Sequence, residues 1–177
     1  PIIMAGGPCA YNPEPLYDIV DFFEIGEGEE MMNDVLEVYA RHKANGKVNK
    51  KEFLREISKI GGIYVPSLYD VTYNEDKTVK ETVPNREGVP AHPRKRIIKN
   101  MDEVPYPEAL IVPYIETVHE RVVLELFRGC TRGCRFCQAG MIYRPIREKS
   151  IETLKASLDK LIKSTGYDEI SLSSLST

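Results

Sequence analysis

The chain has 177 residues, 42% of them hydrophobic, and a formal net charge of -3. That content is globular rather than disordered, and the length suits one ordinary domain or pieces of two. The small negative charge gives no general reason to expect nucleic acid, no apolar run reaches the length of a membrane span, and Pro1-Ile2-Ile3-Met4-Ala5 lacks the charged start and long apolar stretch of a signal peptide.

Residues 1–46 read as α/β. Ile2-Ile3-Met4-Ala5 is expected as a short buried strand stopped by Gly6-Gly7-Pro8. Asn12-Pro13-Glu14-Pro15 marks a turn, and residues 14–20 suit a short helix. Asp21-Phe22-Phe23-Glu24-Ile25 follows as a second strand. Gly26-Glu27-Gly28-Glu29 then opens a helix of about four turns, in which Met31, Val35, Val38 and Tyr39 recur at helical spacing and the Met31-Met32 pair is core. Asn45-Gly46 ends it.

Residues 47–120 are expected as a connector. Lys51 to Ile60 is a short helix with Phe53, Leu54 and Ile57 on one face, stopped by Gly61-Gly62. Residues 64–73 and 78–83 flank Asn74-Glu75-Asp76-Lys77, which predicts a hairpin. Pro84, Pro90, Pro93, Pro105, Pro107 and Pro113 suit an extended crossing rather than a core.

Residues 121–177 are α/β again. Val122-Val123-Leu124-Glu125-Leu126-Phe127 is a strand, and a loop rich in glycine and cysteine follows. Ser150 caps a helix whose buried stripe is Ile151, Leu154, Leu158 and Leu161, and Gly166 closes it. Glu169-Ile170-Ser171-Leu172 opens the next strand, which completes one β-loop-α-β unit of a parallel sheet or barrel.

Three of the four cysteines lie in that loop, at Cys130, Cys134 and Cys137, spaced C-x3-C-x2-C. A secreted disulfide scaffold spreads its cysteines, whereas a metal site gathers them, so a reducing cytoplasm is the simplest compartment. Thiolates are soft ligands that suit iron–sulfur clusters and zinc. Three sulfurs on so short a segment hold three corners of a 4Fe-4S cubane and leave one iron an open position, where chemistry can occur. The alternative is a non-enzymatic module with zinc completed by His119 or Cys9, but zinc ribbons usually pair two separate C-x2-C knuckles. Cys9 reads as a small residue in a turn, and His42, His92 and His119 as surface or connector residues. Arg128, Arg132, Arg135, Arg144, Arg147 and Lys149 surround the cysteines, opposed only by Glu148. Their charge offsets an anionic cluster, or forms an ordinary solvated face.

The cysteine spacing, with an aromatic before the last cysteine and at the end of a first barrel strand, resembles the radical S-adenosylmethionine (SAM) superfamily. Gly6-Gly7-Pro8, Asn12-Pro13-Glu14 and Gly26-Glu27-Gly28-Glu29 resemble the end of the cobalamin-binding domain found before some of its barrels. The string from Arg128 to Glu148, with residues 165–172, is similar to one bacterial group of cobalamin-binding radical SAM proteins of unsettled substrate. The resemblance implies cluster ligation by Cys130, Cys134 and Cys137, with SAM on the fourth iron and reductive cleavage to a 5′-deoxyadenosyl radical. It places Phe136 near the SAM adenine and Ser173 and Ser174 near its amino group, although the usual Gly-Gly-Glu pattern is absent there. It implies cobalamin contacts at Gly6, Gly7, Gly26 and Gly28, and an electron donor such as flavodoxin or ferredoxin. The Asp-x-His-x-x-Gly signature that gives cobalamin an axial histidine is absent.

The expected architecture is therefore the C-terminal part of a flavodoxin-like cobalamin-binding domain (1–46), a proline-rich connector with a hairpin (47–120), and the first β-α-β of a partial TIM-type barrel (121–177). The chain reads as a central slice of a longer enzyme and is not expected to turn over by itself.

Overall fold

The computed structural model describes residues 1–176. The chain divides into two compact units, Pro1–Ile97 and the residues from Ile98 onward. Among the described residues no helix is long and apolar enough to cross a membrane.

In the first unit, strand β1 (Met4–Ala5) runs parallel to β2 (Phe22–Glu24), with Met4 opposite Phe22 and Ala5 opposite Phe23. Two short 3-10 turns, Pro8–Tyr11 and Glu14–Leu16, carry the chain between them. Helix α1 spans Gly28–Ala44 and buries Met31, Val35 and Val38, the spacing that puts one stripe on the core. Met32 beside them is only partly buried. Glu29 and Glu30 in the first turn and Arg41, His42 and Lys43 in the last complement the helix dipole. Helix α2 (Lys50–Ile57) is capped by Asn49, whose Oδ1 accepts from the Lys51 amide at 3.1 Å. Its Phe53 packs edge-on against Phe22, Tyr39 and His42 and joins both helices to β2.

Residues 47–69, expected in the connector, are part of this core. Strand β3 (Ile63–Tyr64) lies antiparallel to β2, with Phe23 opposite Tyr64. Gly62 explains the reversal. Its φ is +100°, its carbonyl accepts the Ile25 amide at 2.7 Å, and a Cβ there would lie 2.5 Å from Met31 Sδ. What reads as a helix stop is thus also the turn that brings the chain back beside β2. The described residues form a three-stranded mixed sheet in the order β1-β2-β3, not the parallel sheet of a flavodoxin-like domain. The expected hairpin forms from β4 (Tyr69–Tyr73) and β5 (Val79–Pro84). Asp76 Oδ1 accepts from the Thr78 amide and hydroxyl within the turn.

In the second unit β6 (Arg121–Glu125) pairs in parallel with β9 (Glu169–Ser173). Four further elements lie between them in sequence: β7 (Phe127–Arg128), α3 (Ala139–Ile142), β8 (Arg147–Glu148) and α4 (Ile151–Thr165). Ser150 Oγ accepts the Thr153 amide and so caps α4, while Gly166 at φ +74° ends it, as the sequence predicts. Asp102 Oδ1 accepts the Ser150 amide at 2.8 Å, and this bond holds the Asp102 carboxyl below its ordinary value. Leu161 packs on Val122 and Leu124, with Leu154 and Leu158 partly buried beside it. Ile151 is 64% exposed, against expectation. Ile170 and Leu172 of β9 stand opposite Val122 and Leu124 yet stay exposed.

Candidate functional site

The expected strand over residues 122–127 divides at Leu126. The Leu126 amide donates to Ser173 O, which continues the β6–β9 ladder, but its carbonyl accepts the Lys149 amide. Beyond it, β7 pairs antiparallel with β8, so that Phe127 faces Glu148 and Arg128 faces Arg147. This two-stranded clasp closes the base of the loop that carries all three clustered cysteines. Gly129 makes the closure possible. It is buried at φ +98°, and a Cβ there would lie 2.5 Å from Pro145 O and 2.8 Å from the Ile146 backbone nitrogen. Gly133, between the first two cysteines, lies in open space and has no positive φ.

Cys130, the second residue past β7, is buried, Cys134 is exposed and Cys137 is half-buried; all are free thiols. Cys130 Sγ accepts the Arg132 amide at 3.3 Å and lies 3.4 Å from Ser176 Oγ. These contacts, Ser176 first, pull its thiol below the ordinary cysteine value against the opposing effect of burial. Cys137 donates its amide to Cys134 O in a tight turn, and the single helical turn α3 follows, anchored by buried Ile142.

The basic residues divide by role. Arg128 makes a double hydrogen bond to Glu125, at 2.7 and 3.2 Å, and Lys149 lies 3.6 Å from the same carboxylate and 4.5 Å from the Tyr106 ring centroid. Glu125 is thus an opposing charge that counting within the loop misses, because it sits on the strand before it. Arg144 donates to Cys130 O and Arg132 O, and Arg147 to Ile98 O, Pro145 O and Tyr143 O. Those two arginines brace the loop backbone. Arg132 and Arg135 are exposed.

Ser173 and Ser174 line a cavity of about 240 Å³ with Glu125, Arg128, Gly129 and Tyr143. Ser176, which the sequence reading passed over, is the serine that meets Cys130; its signal was the polar run that ends β9. Phe136 is 92% exposed. Among the described residues no three His, Cys, Asp or Glu side chains converge on one metal-ion position. His119 is engaged with Arg121. Three soft thiols, on a loop with no carboxylate or imidazole between them, form a donor set suited to an iron–sulfur cluster.

The predicted cofactor glycines lie in the first unit. Gly6 follows β1 and Glu24 ends β2, at the carboxyl end of that parallel pair, and Gly28 starts α1. A Cβ at Gly6 or Gly28 would make only ordinary contact, 3.6 Å to Glu24 Cβ and 3.5 Å to Glu24 Oε2 respectively, and Gly7, at φ +87°, has nothing within 4 Å. Gly26 differs, because a Cβ there would lie 2.3 Å from Arg96 O. The Arg96 backbone bonds on either side of it, to Ile25 O and the Glu27 amide, and its side chain pairs with Glu30 and Asp34. That packing accounts for Gly26 without any ligand.

Residues 1–66 match the family model described as radical SAM proteins, N-terminal. Over 172 residues the chain is 27% identical to an uncharacterized protein of Methanocaldococcus jannaschii, an alignment covering 97% of this chain and 31% of that protein. The chain therefore spans about a third of the length of this relative. No solved structure matches it. The family match supports a place among radical SAM proteins, and it falls on the glycine-bearing unit rather than on the cysteine loop.

Proposed function

We propose that the chain is part of a radical SAM enzyme in which Cys130, Cys134 and Cys137 hold a 4Fe-4S cluster with one open iron. The observation that carries this reading is the clasped loop itself: three thiols, without competing ligands, presented at the carboxyl end of a parallel strand. When bound, the cluster supplies the electron that cleaves SAM to methionine and a 5′-deoxyadenosyl radical.

The chain's own residues do the holding. The Arg132 amide and Ser176 stabilise the Cys130 thiolate before iron arrives. Arg144 and Arg147 fix the loop backbone from behind. Arg132 and Arg135, exposed on the loop, supply positive charge toward an anionic cluster and toward the SAM carboxylate. In this reading Ser173 and Ser174, which line a cavity, accept from the SAM ammonium, and the exposed Phe136 lies toward the adenine. A loop this exposed is open to a flavodoxin or ferredoxin as electron donor. Cobalamin is the second cofactor, favoured by the open space at Gly7 and by the buried Glu24 Oε1, which has no partner among the described residues. Multiple turnovers require the rest of a longer protein, because one β-α-β unit does not close a barrel around a radical.

Anaerobic reconstitution is expected to give about four irons and four acid-labile sulfides per chain. Stoichiometric zinc without sulfide, from cells supplied with iron, would instead establish the non-enzymatic zinc module.

A further inference from the structure

Glu24 ends the central strand of the first sheet and is 6% exposed. Its Oε1 is buried with no hydrogen-bond partner among the described residues. A buried carboxyl oxygen without a donor carries a desolvation penalty that nothing in the fold offsets, and the same burial raises the pKa of the group. Nothing in the packing requires an acid at this position: the residue before it is Phe23, and Ile63 stands opposite. A hydrophobic side chain would serve the core better.

The surroundings say what the carboxyl faces. The other oxygen of the same carboxyl, Oε2, lies 3.8 Å from the Cβ position of Gly6 and 3.5 Å from that of Gly28, so the carboxyl reaches between the end of β1 and the start of α1. The first amides of a helix have no intrahelical acceptor, and the Glu27 side chain makes no cap hydrogen bond here. An acceptor, the carboxyl, therefore stands at the start of α1, where the Gly28 amide has no intrahelical acceptor, at the carboxyl end of a parallel strand pair. A group that matches both carries an N–H beside a C=O.

We propose that Glu24 and the first turn of α1 form a subsite for a primary carboxamide. The Glu24 carboxyl accepts from the amide NH2, and the Gly28 N–H donates to the amide oxygen. The proposal deepens the cobalamin reading and rests on it for the identity of the ligand, since the corrin rim carries primary carboxamides.

The test uses the full chain with Glu24→Leu and Glu24→Gln, and hydroxocobalamin as the probe in equilibrium dialysis. Glu24→Leu is expected to weaken binding about tenfold or more, and Glu24→Gln, which keeps an acceptor oxygen, by about threefold at most. Without ligand both variants are expected to melt at or above the wild-type temperature, because each removes a buried unpaired acid. Wild-type affinity in Glu24→Leu would overturn the subsite and leave the cobalamin reading standing. A lower melting temperature in both variants would reveal a structural partner for the carboxyl and would also overturn it. If the wild-type chain does not bind hydroxocobalamin, the cobalamin reading falls and acetamide decides the subsite. A saturable shift of the Glu24 carboxyl carbon-13 resonance then supports it, and no shift overturns it.

Discussion

Replacing Cys130, Cys134 or Cys137 by Ala is expected to abolish the cluster in each case, whereas Cys9→Ala leaves iron and sulfide unchanged. A cubane with three protein thiolates loses a corner when one is removed, and the loop from Gly129 to Ile146 contains no carboxylate, imidazole or spare thiol to replace it. Cys9 sits in a 3-10 turn of the other unit. The measurement is iron and acid-labile sulfide per chain after anaerobic reconstitution. Loss in all four variants would show that the ligand set is wrong, and retention in any one of the loop variants would remove that cysteine from it.

Gly129→Ala is expected to have nearly as large an effect without touching a ligand. Holding a non-glycine residue in such a backbone conformation costs about 1–3 kcal/mol. The collision with the Pro145 and Ile146 backbone adds to that, because neither neighbour is a flexible side chain that could move aside. The strands β7 and β8 must separate, and Cys130 is displaced from the Arg132 amide and Ser176. Both the urea midpoint and the retained iron should fall. Gly133→Ala, four residues on and in open space, is the control and is expected to keep both. Equal behaviour of the two variants would mean that the clasp does not position the site.

Much of the local structure was legible because it depends on neighbours in sequence. The Ser150 cap, the left-handed Gly166 and the turn over Asn74–Lys77 each depend on a few adjacent residues, and each forms. The alternation of Val122 and Leu124, buried, with Val123, exposed, likewise places one face of β6 on α4. What was not legible depends on residues distant in the chain. Gly62 reads as the end of a helix, and only the approach of Met31 and Ile25 shows that it turns the chain back to make β3. Gly26 reads as part of a ligand loop, and only Arg96, seventy residues on, shows why a side chain is excluded there. Leu126 belongs to an apolar run, and only Lys149 and Ser173 show that it is shared between two sheets.

The site divides in the same way. The three cysteines and the basic residues are visible as a string, but their environment is not. Glu125, which neutralises Arg128, precedes the loop, and Ser176, which meets Cys130, comes 46 positions later. Glu24 sits within Phe22-Phe23-Glu24-Ile25, where an apolar pattern hides the one residue that is buried against its chemistry. Its carboxyl becomes informative only once the packing shows that nothing in the described chain satisfies it.

The claim on which the account depends is that three thiols leave one iron open to SAM. The most direct measurement is the electron paramagnetic resonance spectrum of the reconstituted, reduced chain, recorded with and without excess SAM. The account predicts a cubane signal whose shape changes when SAM is added, because its amine and carboxylate take the open iron position. A cubane signal identical in the presence and absence of SAM would contradict it, as would reduced protein that shows no cluster signal at all.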